Sequence, residues 1–261
     1  MRRTATPMTL RTLRPFLALT FGLSWGVIIL LILFADQAEA LFGPMGYTNP
    51  LFILAVYAPG FAGVVLVWRH YGTAGLRSFF MRLTLWRMSP AWWAVLVIGM
   101  PAVFYLGAAI KGTVTDPFPF SPWYDVVPAL GIALFIGPIE ELGWRGVALP
   151  LLQRRFAPLW SSLILGGIVA LWHLPAFALS GTKQSAWAVG PFLIGVVAIS
   201  VILTAMFNAA GGSILIAALF PFQMNDPVWP GAQPWDTYVF LAVAAFVVPA
   251  NAGRRSPATV R

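Results

Sequence analysis

The sequence predicts an all-α membrane protein, a polytopic bundle of about eight transmembrane helices. The 261 residues are 59% hydrophobic and only 9% charged, with mean hydropathy +0.82, whereas a soluble domain carries about 25% charged residues. Eight apolar runs approach or exceed the length that crosses ~30 Å of hydrocarbon. The charges that remain alternate in kind from one connection to the next.

The first run, 16–34, follows Arg2, Arg3, Arg11 and Arg14 and precedes ADQAEA, an A-x-A-like cleavage pattern. Its apolar core exceeds the ~7–15 residues of a signal peptide, so an uncleaved anchor is expected. The second and third runs are 51–68 and 92–110. Between them GLRSFFMRLTLWRMSPAWW (75–93) alternates Arg77, Arg82 and Arg87 with Phe, Leu and Trp. That pattern predicts an amphipathic helix lying in the cytoplasmic interface. The fourth, fifth and sixth runs are 126–149, 160–179 and 191–207. The last two, 213–222 and 238–249, are short. Three regions follow: membrane helices with an interfacial segment (1–125), a helix core (126–250) and a basic tail (251–261).

The net charge of +8 is a topology signal. With the N-terminus inside, fourteen of the sixteen basic residues fall in inside segments, and only Lys111 and Lys183 fall outside. Six of the eight acids (Asp36, Glu39, Asp116, Asp125, Asp226 and Asp236) fall outside. The positive-inside rule is obeyed connection by connection, which predicts a protein integral to the cytoplasmic membrane with both termini inside. Anionic lipid is the expected partner of the arginines, and nucleic acid is not needed to explain them. The absence of Cys excludes disulfides, thiolate metal sites and a cysteine nucleophile.

Against this background GPIEELGWRGVALP (137–150) is costly. An ionisable side chain at the centre of a membrane helix costs roughly 2.5–3.5 kcal/mol, and Glu140, Glu141 and Arg145 fall within six residues. Glu141 and Arg145 are i, i+4 neighbours, the spacing of a helical ion pair. Glu140 points about 100° away and has no partner nearby in sequence, which suits a group that takes and returns protons. A purely structural charge cluster is the alternative. Gly137, Gly143 and Gly146 give this helix small surfaces for close packing. In the next span GGIVALWHLPAF (166–177) carries His173, with Pro175 expected to bend the helix and Gly166 and Gly167 to allow close approach. A lone His there can equally be a packing residue, but a Glu–His pair between adjacent spans can hold and deprotonate a water.

At these residues, roughly 126–225, the chain resembles the CPBP intramembrane proteases. That family includes type II CAAX prenyl endopeptidases and bacteriocin-immunity (Abi) proteins. The resemblance implies an endopeptidase that hydrolyses a peptide bond of a membrane protein or peptide near the cytoplasmic face. Glu140 would activate the water, His173 would hold it, Asn225 would help stabilise the oxyanion, and Glu141 with Arg145 would be the structural pair. Val169 stands where the second motif usually has an aromatic. The larger departure is in NAAGGSILIAALFPFQMND (208–226): Gly211-Gly212-Ser213 and Asn225 fit the third motif, but Pro221 replaces its histidine. Glu140 and His173 are therefore the only two candidate ligands for a divalent metal such as zinc, whose catalytic sites keep three protein ligands. His70 is expected in a cytoplasmic connection, away from them. Two other readings stay open. One is a catalytically impaired relative that binds a membrane peptide or partner, as a bacteriocin-immunity protein would. The other is a transporter with Glu140 and His173 as a proton relay, although the chain lacks the paired half-repeats of transporters.

Overall fold

A computed structural model describes residues 7–46 and 48–252, and every regular element among them is helical. Six helices are long and apolar enough to span a membrane: α1 Leu10–Leu33, α2 Pro50–Thr84, α3 Pro90–Lys111, α4 Trp123–Gln153, α5 Pro158–Ala178 and α6 Val189–Ala209. Two shorter apolar helices complete the order, α7 Ile214–Met224 and α8 Trp235–Pro249. The all-helical membrane bundle expected from composition is what is observed. Arg2, Arg3 and most of the basic tail (253–261) lie outside the described residues.

Local sequence sets the helix starts. Asn49 caps α2 by accepting from the N–H groups of Leu51 and Phe52 at 3.1 and 3.3 Å, and Pro50 stands in the first turn, where its missing N–H costs nothing. Ser213 caps α7, accepting from the Ile216 N–H at 3.0 Å directly after Gly211 and Gly212, both at positive φ.

The interfacial helix expected over 75–93 is different in the structure. The helical stretch containing Arg77 continues from α2 through a kink at Gly72 (φ 64°, ψ −160°) and ends at Met81. After a short 3-10 turn at Arg82–Thr84 the chain is non-helical until Pro90 opens the next helix. Proline biases the residue before it to extended backbone, and Ser89 (ψ 152°) obeys. His70, expected in a connection, is helical, its ring tilted beside that of Tyr71.

The helices pack in a closed order. α1 lies on α2, α2 on α4, α4 on α7, α7 on α6, α6 on α5, and α5 back on α1, while α8 packs between α6 and α3. The α2–α4 contact is the tightest. A Cβ on Gly143 would collide with the Pro59 carbonyl, and one on Gly60 would sit 2.6 Å from the Ile139 oxygen. Backbone therefore meets backbone at the level of the two glutamates, the small-residue packing that membrane helices favour. Gly166 serves α6 instead of α4, lying against Val197 and Ser200, and Gly167 faces open space. The apolar core centres on Trp144, Phe16, Phe207, Phe220 and Phe240, all buried.

Candidate active site

The site begins at a change of helix pitch. Helix α4 is α-helical to Gly143, then widens into a π-helical stretch over Trp144–Ala148. Such single wide turns occur often at functional sites. Glu141 and Arg145 straddle the junction, and Arg145 Nη1 donates to Glu141 Oε1 at 2.9 Å. Both are buried, 2% and 3% exposed. Arg145 is thus a charge of the bundle interior, and it drops out of the inside-segment arginines that report topology. Trp144 between them is wholly buried, edge-on to Phe16 at 5.5 Å and Trp172 at 5.8 Å.

His173 closes the α-helical part of α5, and Leu174–Ala178 continues as a 3-10 turn with Pro175 in its first turn. The helix type thus changes at the proline. The Trp25 indole N–H reaches across from α1 to the Trp172 carbonyl at 3.2 Å and steadies this turn. His173 Nδ1 lies 2.8 Å from the Val169 carbonyl. A carbonyl only accepts, so Nδ1 carries the proton and the other ring nitrogen, Nε2, keeps its lone pair.

Glu140, His173 and Asn225 come together as lining of two adjoining cavities. The smaller, about 70 Å³, also meets Ser24, Phe52 and Trp172. The larger, about 440 Å³, extends past Pro221, Phe192, Trp187, Trp229 and Phe240 to Lys183 and Asp236. Asn225 ends α7, and its Nδ2 donates to the Pro221 carbonyl at 2.9 Å. Gly137 makes this proximity possible, since a Cβ there would lie 2.5 Å from the same Nδ2. His70 lines neither cavity.

The donor set does not fit a catalytic zinc. Among the described residues no three of His, Asp and Glu gather as a metal-binding group, and Pro221 supplies neither an imidazole nor an N–H. Three protein ligands are the usual minimum.

Two contributors were not legible beforehand. Arg82, read from sequence as an interfacial lipid contact, turns inward: its Nε donates to the Gly212 carbonyl and its Nη1 to the Gly146 carbonyl, each at 2.9 Å. It ties the start of α7 to the π-helical stretch of α4, and so fixes Asn225's helix against Glu140's. Ser24 lines the smaller cavity, wholly buried, with no protein hydrogen bond among the described residues. Neither carries a sequence signal, because both act across the bundle.

Comparison with known proteins bears on this core. Residues 122–225 match the family model for type II CAAX prenyl endopeptidases of the Rce1-like kind. This helix core is similar to the type II CAAX prenyl endopeptidases. CAAX prenyl protease 2 of Methanococcus maripaludis is 31% identical over 144 residues, 50% of this chain and 53% of that protein. The chain therefore matches about half the length of this curated relative. The matched segment includes both glutamates, His173, Pro221 and Asn225, and begins where α4 begins.

Proposed function

We propose that the chain is an intramembrane endopeptidase of the CPBP type that hydrolyses a peptide bond with a water activated by Glu140 and His173. The observation that carries this reading is that Glu140, His173 and Asn225 line one cavity inside the family-matched core. In the reaction, Glu140 takes a proton from the water and His173 Nε2 accepts a hydrogen bond from it, so that its oxygen attacks the scissile carbonyl. The carbonyl's electron pair moves onto oxygen, which the Asn225 side-chain amide at the cavity wall would stabilise. Glu140 then returns its proton to the leaving amine as the C–N bond breaks. Glu141 and Arg145 hold the helix and take no part in proton transfer. No step runs through a metal.

The substrate is a membrane protein or peptide. The apolar walls of the larger cavity, Phe104, Trp187, Phe192 and Phe240, suit an apolar segment. The proline at 221 favours a second reading, a catalytically impaired relative that binds such a peptide or a partner without cleaving it. Proteolysis by the purified chain in lipid nanodiscs, followed by mass spectrometry of the products and compared with Glu140→Gln, separates the two. Cleavage that the variant loses supports the protease. Binding without cleavage by either form supports the impaired relative.

A further inference from the structure

The two ends of the bundle are chemically different, and the larger cavity reaches only one of them. At one end Arg82 joins the α2–α3 turn to the α6–α7 and α4 backbones, and Arg154 Nη1 donates to the Met8 carbonyl, joining the α4–α5 turn to the N-terminal segment. Arg77 near the end of α2, and Arg87 and Arg155 in the same set of connections, are exposed. At the other end the Thr113 hydroxyl donates to the Gly231 carbonyl at 2.8 Å, joining the α3–α4 connection to the α7–α8 connection. This end holds Asp116, Asp125 and Asp226.

The mouth of the larger cavity is built from this second end: Lys111, Lys183, Gln184, Asp226 and Gly231. Its floor is the Glu141–Arg145 pair. Below the floor Trp144 is wholly buried and Gly146 lies against Phe79 and Ile214, and no described residue of the arginine-bearing connections lines the cavity. Glu140 lies fourteen residues into α4 from Val126, a depth of about 21 Å at 1.5 Å per residue. A peptide therefore reaches Glu140 from the acid-bearing end.

Arginine-rich connections are retained in the cytoplasm. We infer that the cavity opens to the side of the membrane away from the cytoplasm, and that its substrate is a peptide segment presented from that side. This rests on the protease reading for the word substrate but not for the direction of access. It is the reverse of the cytoplasmic cleavage that the family resemblance implies.

The chain's lack of Cys makes the test direct. Single cysteines are placed at Ala186 on the mouth, at Met224 inside the cavity and at Ser78 on the arginine end. Each is expressed in a bacterial host and treated with a small membrane-impermeant thiosulfonate, in intact cells and in everted vesicles. Ala186→Cys and Met224→Cys are expected to react in intact cells and to lose that reaction in everted vesicles, with Ser78→Cys doing the opposite. Reaction of Met224→Cys from the Ser78 side overturns the inference. So does reaction of Ser78→Cys in intact cells, or a Met224→Cys that reacts from neither side yet reacts in detergent. Labelling reads access whether or not the chain cleaves anything, so failure here and failure of the protease reading remain distinct.

Discussion

Glu140 and Glu141 are adjacent in sequence, yet the helix gives them different surroundings. Glu141 is spent on Arg145, buried at 2.9 Å, while Glu140 faces the cavities shared with His173 and Asn225. Removing one partner of a buried pair leaves an uncompensated charge and typically costs about 3–5 kcal/mol. Arg145→Ala is therefore expected to lose thermal stability in detergent or to fail to accumulate, whereas Glu140→Gln, nearly isosteric, should melt with the parent and lose only activity. A folded, fully active Arg145→Ala protein would contradict the pair's structural role. Pro221 poses the complementary question, because a proline inside a helix costs roughly 3 kcal/mol relative to Ala and here occupies the position of an expected imidazole. Pro221→His restores an N–H and a third candidate ligand one turn before Asn225. Its cleavage rate and zinc affinity should both rise above the parent's, with the gain abolished by Glu140→Gln and by a zinc chelator. An unchanged rate would mean that Glu140 and His173 suffice.

The elements are held at the site by close backbone approach and by one arginine. Gly143→Ala would drive a methyl into the Pro59 carbonyl, and main chain cannot rotate away as a side chain does. Overpacking of this kind costs typically 1–3 kcal/mol, roughly, so a lower melting temperature is expected. Gly22→Ala in α1, with nothing within 4 Å of the added carbon, is the matched control and should be neutral or gain up to ~1 kcal/mol in helix propensity. Arg82→Met keeps much of the side-chain length and removes both carbonyl ties. It should reduce cleavage more than it reduces binding of the chain's peptide, since it frees α7 to shift Asn225 relative to Glu140. Equal losses in both would mean that Arg82 merely supports the fold.

At the scale of the whole molecule, the alternation of charge between connections predicts that successive connections lie on opposite sides of the membrane. Cysteines at Gln37 and Ser78, both exposed, should label from opposite sides of the membrane. Labelling of both from one side would break the alternating topology and leave the eight-helix reading wrong. Thr182, an obvious choice in the α5–α6 connection, is a poor probe, because its hydroxyl is buried and donates to the Ala176 carbonyl at 2.8 Å.

What the sequence alone determined are the features whose cause is local. Apolar runs of membrane length fix the helices, because backbone groups in lipid must be satisfied within the segment. The i, i+4 spacing fixes the Glu141–Arg145 geometry, and Pro175 marks the change of helix type after His173. Even the ends of α2 and α7 follow from Asn49 and Ser213. The tertiary structure decided everything that depends on which helices meet. It turned Arg82 from the lipid interface onto two backbone carbonyls, brought Ser24 of α1 to the wall of the smaller cavity, and made Gly137 the seat of Asn225. It also decided which end of the bundle the cavity reaches. Hydropathy in a membrane helix is nearly uniform around its axis, since lipid and neighbouring helices are both apolar, so no periodicity announces these contacts.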